Sequence, residues 1–243
     1  MSIRFLITFI FLATFSACKR DCRVVKSSFK DGKAEVIHFY PKCDDTTYYK
    51  GQVLYNTGQL ASEGYFKNGQ KIGQFKSWYA NGQLESHWNM LNGKEEGLIQ
   101  CWYPNGKKKK EGTLSNGIEN GVQRVWDEHG KQLSEGTYVN GKRQGIWKFW
   151  LANGEYRERN YFNDILSGPT IERLDDNRQV IGQYSNGKEN GLWIWKDSLG
   201  NLEQTAYYRD GNFDSIAIAY YSNGNIRERR VYKNGKLLTT KKD

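Results

Sequence analysis

The side chains of this 243-residue chain that could do chemistry are few, and their spacing removes most kinds of it. The cysteines are Cys18, Cys22, Cys43 and Cys101 and the histidines His38, His87 and His129. No cysteine pair has ligand spacing and the histidines are far apart in sequence, so no metal site is expected. There is no Gly-x-Ser-x-Gly elbow and no Gly-x-x-x-x-Gly-Lys-Ser/Thr phosphate cradle. Glu63, Glu111 and Glu135 occupy one recurring position, whereas general acid–base work needs two carboxyls tuned apart by different surroundings. The expectation is a protein that is not an enzyme and uses no cofactor.

What is left is binding. Trp78, Trp102, Trp126 and Trp150 recur at a strict step of 24, preceded two residues earlier by Lys76, Gln100, Arg124 and Lys148. As a candidate binding stripe, Lys76, Trp78, Trp102, Arg124, Trp126, Lys148 and Trp150 offer ring faces for stacking and cations for anionic groups. The same pattern arises when tryptophan packs a hairpin and Lys or Arg stems cover it. The stripe stops where Arg173 and Lys196 take the tryptophan position. The run Lys107–Lys110 reads as a solvated edge that discourages sheet-to-sheet pairing, with attraction to phosphate-bearing groups as the alternative.

These residues need a scaffold, and the chain advertises one by repetition. One glycine series runs Gly73, Gly97, Gly121, Gly145, Gly168, Gly191, and a second runs Gly69, Gly93, Gly117, Gly141, then Asp164, Gly187, Gly211, Gly235. A third runs Gly58, Gly82, Gly106, Gly130, Gly154, then Asn177, Gly200, Gly224. All three hold a period of 23 or 24 residues, which is the mark of a repeat architecture. Many of these glycines follow asparagine, and Asn-Gly between short alternating segments predicts a hairpin with a type I′ turn. Around residues 131–154 one strand is expected over Gln132 to Val139, a return strand over Ile146 to Leu151, and a turn at each end. Leu, Ile, Val and Phe make up only about 21% of the chain, close to the level of disordered sequences. With 8 Trp, 16 Tyr and 26 Gly, its apolar surface instead comes from large rings.

Alternation then separates two faces. Phe75, Ser77, Ile99, Cys101, Trp147 and Phe149 fall on the more apolar one, the better core candidate, and the tryptophan stripe falls on the other. Tryptophans one repeat apart are roughly 10 Å from each other, so Tyr65, Tyr138 and Tyr161 are expected to fill the gaps. Gly64, Gly112 and Gly136 within outgoing strands predict a bulge or a close approach of backbone.

The repeat, as in Thr137-Tyr138-Val139-Asn140-Gly141 through Gly145-Ile146-Trp147-Lys148-Phe149-Trp150, resembles the bacterial variant of the MORN repeat, found in proteins labelled YwqK-type antitoxins. The resemblance covers about residues 48 to 240. The fold it implies is all-β, an elongated twisted antiparallel sheet of stacked hairpins. What it implies for activity is neutralisation of a toxin by surface contact.

The N-terminus carries an address. Arg4, the apolar run Phe5 to Phe15 and the small pair Ser16-Ala17 have the layout of a secretory signal peptide, and Phe15-Ser16-Ala17-Cys18 resembles a bacterial lipobox. The expected organisation is a signal peptide over 1–17, an N-terminal segment over 18–47 with a degenerate first repeat, and the hairpin array over 48–243. Cys18 is the expected lipidation site. No Asp follows it, which points to the outer membrane rather than retention at the inner one, with a soluble periplasmic or secreted protein as the alternative. In an oxidising compartment Cys22 and Cys43, which flank one non-repetitive segment, can form a bridge, and Cys101 reads as a small buried thiol. The net charge of +9 and the aromatic content would suit nucleic acid, but an exported protein seldom meets it. The leading expectation is therefore a non-catalytic envelope lipoprotein that binds another protein, less readily a glycan or a lipid head group. An antitoxin or immunity-type protein is the alternative.

Overall fold

The computed structural model describes residues 22–242. The expected signal peptide and Cys18 lie outside the described residues. All 22 strands belong to one open antiparallel sheet, and no helix occurs among the described residues. Strands follow one another across the sheet in chain order, each paired with the next. Lys94–Glu95, Ile118–Glu119 and Lys188–Glu189 are short leads into the strands that follow them. At ~4.8 Å per strand the sheet extends roughly 90 Å from first strand to last. Ala34–Tyr40 pairs with both Cys22–Ser28 and Tyr48–Leu54, so the segment ahead of residue 48 is continuous with the array. The disulfide Cys22–Cys43, with Cα atoms 5.2 Å apart, ties the first strand to the loop after the second.

The turns are of two kinds, where the Asn-Gly signal alone predicts one. At Asn68-Gly69, Asn92-Gly93, Asn116-Gly117, Asn140-Gly141, Asn186-Gly187 and Asn234-Gly235 both residues have positive φ, as a type I′ turn requires. At Asn81-Gly82 and Asn105-Gly106 only the glycine does. There the glycine N–H donates to a carbonyl three residues back, Gly82 to Tyr79 at 2.8 Å and Gly106 to Tyr103 at 2.8 Å. The asparagine side chain instead accepts from the backbone two residues on, Gln83 at 3.0 Å and Lys107 at 3.0 Å. This is a three-residue loop, a type I turn closed by one left-handed residue. The same dipeptide gives both because the residue before it differs in place: in the second kind an extra residue, Ala80 or Pro104, enters the loop.

Several type I′ turns are also bonded to the hairpin before them. The N–H of Gly117 donates to the Glu95 carbonyl at 2.8 Å, Gly141 to Glu119 at 2.8 Å, Gly187 to Leu166 at 2.8 Å and Gly211 to Glu189 at 2.9 Å. The opposite margin is laced by side chains. Tyr55 donates to the Trp78 carbonyl at 2.7 Å, Tyr79 to Trp102 at 2.8 Å and Tyr103 to Trp126 at 2.9 Å.

Most of the core is one row across one face, although Ile37, the register partner of Gln52, is buried on the other. Phe75, Gln123, Trp147, Thr170, Trp193 and Ala217 are buried at the period of the glycine series, with half-buried Ile99 in the place between the first two. The strand beside each large ring presents a glycine. A Cβ placed on Gly64 would fall inside the Phe75 ring, one on Gly136 inside the Trp147 ring, and one on Gly182 inside the Trp193 ring. The close approach expected at Gly64 and Gly136 is therefore a ring lying flat on bare backbone. The pairing also shifts register next to both residues. Rings on this face form chains, from His38 through Tyr49 and Phe66 to Phe75 and Trp88, with successive centroids 4.1, 5.0, 5.5 and 5.6 Å apart.

Gly136→Ala is expected to cost about 1–3 kcal/mol by displacing the Trp147 ring. Gly112→Ala is expected to cost far less, because a Cβ there sits 3.6 Å from the Gln123 side chain. Thermal denaturation of the two variants checks this, and equal losses would show that ring-over-glycine packing is not what makes Gly136 necessary.

Candidate binding face

The face opposite the core carries the stripe residues. Gln52, Glu63, Lys76, His87, Gln100, Glu111, Arg124, Glu135, Lys148 and Glu158 are register partners, one to the next. Antiparallel pairing places each acid directly opposite a base on the next strand, where opposite charges attract. Glu63 meets Lys50 at 2.7 Å, Glu111 meets Lys108 at 2.6 Å, and Arg124 bridges Glu135 at 2.9 Å and Glu111 at 3.7 Å. Gln100 and Gln132 donate to Glu111 and Glu135 at 2.8 and 3.2 Å. Beyond Glu158 the row becomes apolar, continuing as Ile171, Ile181 and Ile194.

The ladder sets the protonation of its acids. Hydrogen bonds from Lys108 and Gln100 hold the Glu111 carboxyl below its ordinary value, and those from Arg124 and Gln132 do the same for Glu135. At Glu63 partial burial opposes ionisation, but the bonds from Lys50 and Gln52 outweigh it, and its carboxyl too is lowered. The recurring glutamates thus pair with bases, Glu63 with Lys50, Glu111 with Lys108 and Arg124, and Glu135 with Arg124, which their shared repeat position could not reveal without the strand register. Arg124 in particular is engaged by two carboxylates. His87 stands where the ladder elsewhere has glutamate, between Lys76 and Gln100, and its Nε2 is buried without a hydrogen bond.

Trp78, Trp102, Trp126 and Trp150 are half-buried on the same face, as are Lys76, Arg124 and Lys148. The structure therefore brings all seven stripe residues onto one surface. The gaps between the tryptophans are not filled as expected. Tyr138 packs edge-on against Trp147 at 4.9 Å and Tyr161 is buried under the Arg143 guanidinium at 4.1 Å, both on the core face by alternation with Gly136 and Arg159. Tyr65 lies against Tyr48 at 6.0 Å. Instead the Lys108 ammonium sits 5.6 Å from the Trp126 ring centre, and Tyr156 packs 5.5 Å from Trp150. The run Lys107–Lys110 is not a sheet edge, because Lys108–Ser115 is paired on both sides. Lys107 donates to the His129 carbonyl at 2.8 Å, Lys109 lies over Tyr103 at 5.5 Å, and Lys110 pairs with Glu119 at 2.9 Å.

Cys101 is half-buried between Ser86 and Lys110, and burial pushes its thiol up, which makes it a poor nucleophile. Among the described residues no three of His, Cys, Asp and Glu come together as a metal site.

Two strands joined by a three-residue turn are the unit that recurs in the stretches a family comparison recovers. Residues 71–92, 95–116 and 214–238 match the model of the MORN repeat variant. The chain carries repeats of that kind. The first two MORN-variant stretches hold Lys76, His87, Gln100 and Glu111 of the ladder and Trp78 and Trp102 of the four stripe tryptophans. Between the second and third matches the hairpins keep the same turns and pairings. No curated protein matches the chain. Alternation assigns Tyr79 and Tyr103 to the more apolar face, but the recurrence of Tyr55, Tyr79 and Tyr103 at the step of 24 does not by itself reveal that their hydroxyls bond the tryptophan carbonyls.

A carboxyl held low in the folded state stabilises the fold above its unfolded value of about 4.3. That contribution is lost as pH falls through the lower folded value, because the unfolded chain then binds more protons. The melting temperature is accordingly expected to drop between about pH 5 and pH 2, and Glu111→Gln with Glu135→Gln is expected to flatten that limb. A double variant with an unchanged acid limb would assign the loss to other carboxyls. Tyr79→Phe and Tyr103→Phe should each cost about 1 kcal/mol in urea unfolding, while Tyr65→Phe, which makes no such bond, should be near neutral.

Proposed function

We propose that this chain is a lipid-anchored, non-catalytic scaffold of the bacterial cell envelope that holds another protein against its open sheet. The observation that carries the proposal is the uncovered face itself. Half-buried tryptophans run along one margin, and of the cations beside them Arg124 is engaged by two glutamates while Lys76 and Lys148 stand opposite glutamates in register, so recognition there rests on ring surface and shape more than on unpaired charge. A glycan or a lipid head group fits this face less well for the same reason. The Cys22–Cys43 bridge supports an oxidising location, in keeping with export and lipid attachment at Cys18, and with the outer membrane as the site of anchoring. That bridge also favours the envelope over the cytosol, where a toxin-neutralising partner of the antitoxin type would act.

Two measurements test this. Radioactive palmitate is expected to label the natural protein and not the Cys18→Ser variant; no label on the natural protein would move it to a soluble periplasmic or secreted location. Trp102→Ala with Trp126→Ala is expected to remove a partner captured from envelope extract while leaving the circular dichroism unchanged. Partners that persist on a folded variant would make the stripe packing alone. Growth rescue on co-expression with a toxin encoded next to the gene would favour the antitoxin reading.

A further inference from the structure

The positive charge of the chain is concentrated at one end of the sheet. Residues 22–225 hold 26 Lys and Arg against 24 Asp and Glu, whereas residues 226–243 hold seven against two. The second group is the last hairpin, made of Ile226–Lys233 and Lys236–Lys242. Within it Arg230 is held by Glu228 at 2.8 Å. Arg227, Lys233, Lys236 and Lys242 make no ion pair among the described residues. Lys236–Lys242 is also an edge. It pairs with Ile226–Lys233 on one side and with no described strand on the other, and all seven of its residues are exposed. Its outer backbone N–H and C=O groups therefore face water as a template for one more strand.

We propose that this edge takes an acidic extended segment of a partner protein as an added strand. Cations on an edge repel a copy of the same edge. The other end of the sheet is no better a match, because Cys22–Ser28 carries exposed Arg23 and Lys26. Copies of this chain are thus kept from joining edge to edge, and the same charges attract an acidic strand across the ladder. The placement of the cations separates a strand from a flat anionic surface. Arg230 is the register partner of Ala217 and lies on the core face, and Lys242, the partner of Glu228, lies on that face by alternation. Lys233 and Lys236, partners of each other, lie on the opposite face. A flat surface meets one face, whereas an added strand sends successive side chains to both and also satisfies the open backbone groups. Lys236 and Lys242 are the two ends of the edge, roughly 20 Å apart. The segment that fits is therefore about seven residues long, with acids near both ends and on both faces. This edge lies apart from the tryptophan stripe and stands independently of what that stripe binds.

Fluorescence anisotropy of the labelled peptide Asp-Glu-Val-Thr-Val-Glu-Glu, titrated with the full-length chain in mild detergent, tests the proposal. Binding is expected with a Kd below about 1 mM. Lys236→Glu with Lys242→Glu is expected to weaken it at least tenfold. N-methylation of the Val and Thr amides of the peptide keeps its charge and removes backbone donors, and is expected to weaken binding at least tenfold as well. If the glutamate pair does not fold, Lys236→Gln with Lys242→Gln is expected to give the same direction of change. No binding up to about 1 mM overturns the proposal, and so does a folded variant that binds like the natural chain. Equal binding of the N-methylated peptide overturns it by reducing the contact to charge alone. A chain that sediments with phosphatidylglycerol vesicles and does not bind the peptide overturns it in favour of a membrane surface.

Discussion

The structure depends on keeping register over the whole width of a sheet that no second layer covers. A slip of one residue in any strand would turn its core ring to water and its charged partner inward. What prevents the slip is hydrogen bonding between successive turns. In several of the type I′ turns the second residue, with positive φ, aims its N–H at a carbonyl beside the preceding turn, as Gly117 does to Glu95 and Gly141 to Glu119. On the other margin a tyrosine hydroxyl reaches the carbonyl of the next tryptophan. Where these bonds recur the rows between the margins stay aligned: Gly64, Gly136 and Gly182 each meet a ring on one face, and Glu63, Glu111 and Glu135 each lie opposite a base on the other.

The two faces solve different problems with the same period. An aliphatic-poor chain can still bury apolar surface when a large ring lies on a strand with no side chain beneath it, as Trp147 does over Gly136. The opposite face has no such cover, so its centre is built from charges that neutralise each other across strands. Each pair adds little by itself in an exposed setting. Their value lies in number and in discriminating the correct neighbour, since a shifted strand would set like charges together.

Much of this was legible in the chain. The glycine series gave the period, Asn-Gly marked the reversals, and alternation assigned Phe75 and Trp147 to one face and Trp78 to Trp150 to the other. What escaped depended on contacts across strands. Asn81-Gly82 and Asn92-Gly93 look alike, yet the first closes a three-residue loop because Ala80 joins it. Glu111 and Arg124 are thirteen residues apart, and only the pairing shows them to be partners. Tyr138 was expected between tryptophans and is on the far face, a matter of parity with Gly136 that counting from the turn does not reveal. The first two strands, Cys22–Ser28 and Ala34–Tyr40, fall in the segment expected to hold a degenerate first repeat; of the repeat's glycines it keeps Gly32, which closes the same kind of three-residue turn.

The disulfide at the start of the sheet has a mechanical consequence. Tension applied through the chain ahead of Cys22 does not pass along Cys22–Ser28, where it could peel that strand from Ala34–Tyr40 one hydrogen bond at a time. It crosses to Cys43 and reaches the array at the strand Tyr48–Leu54. An array held by its N-terminal end therefore resists unzipping from that end, and its first hairpin is shielded from whatever pulls on the rest.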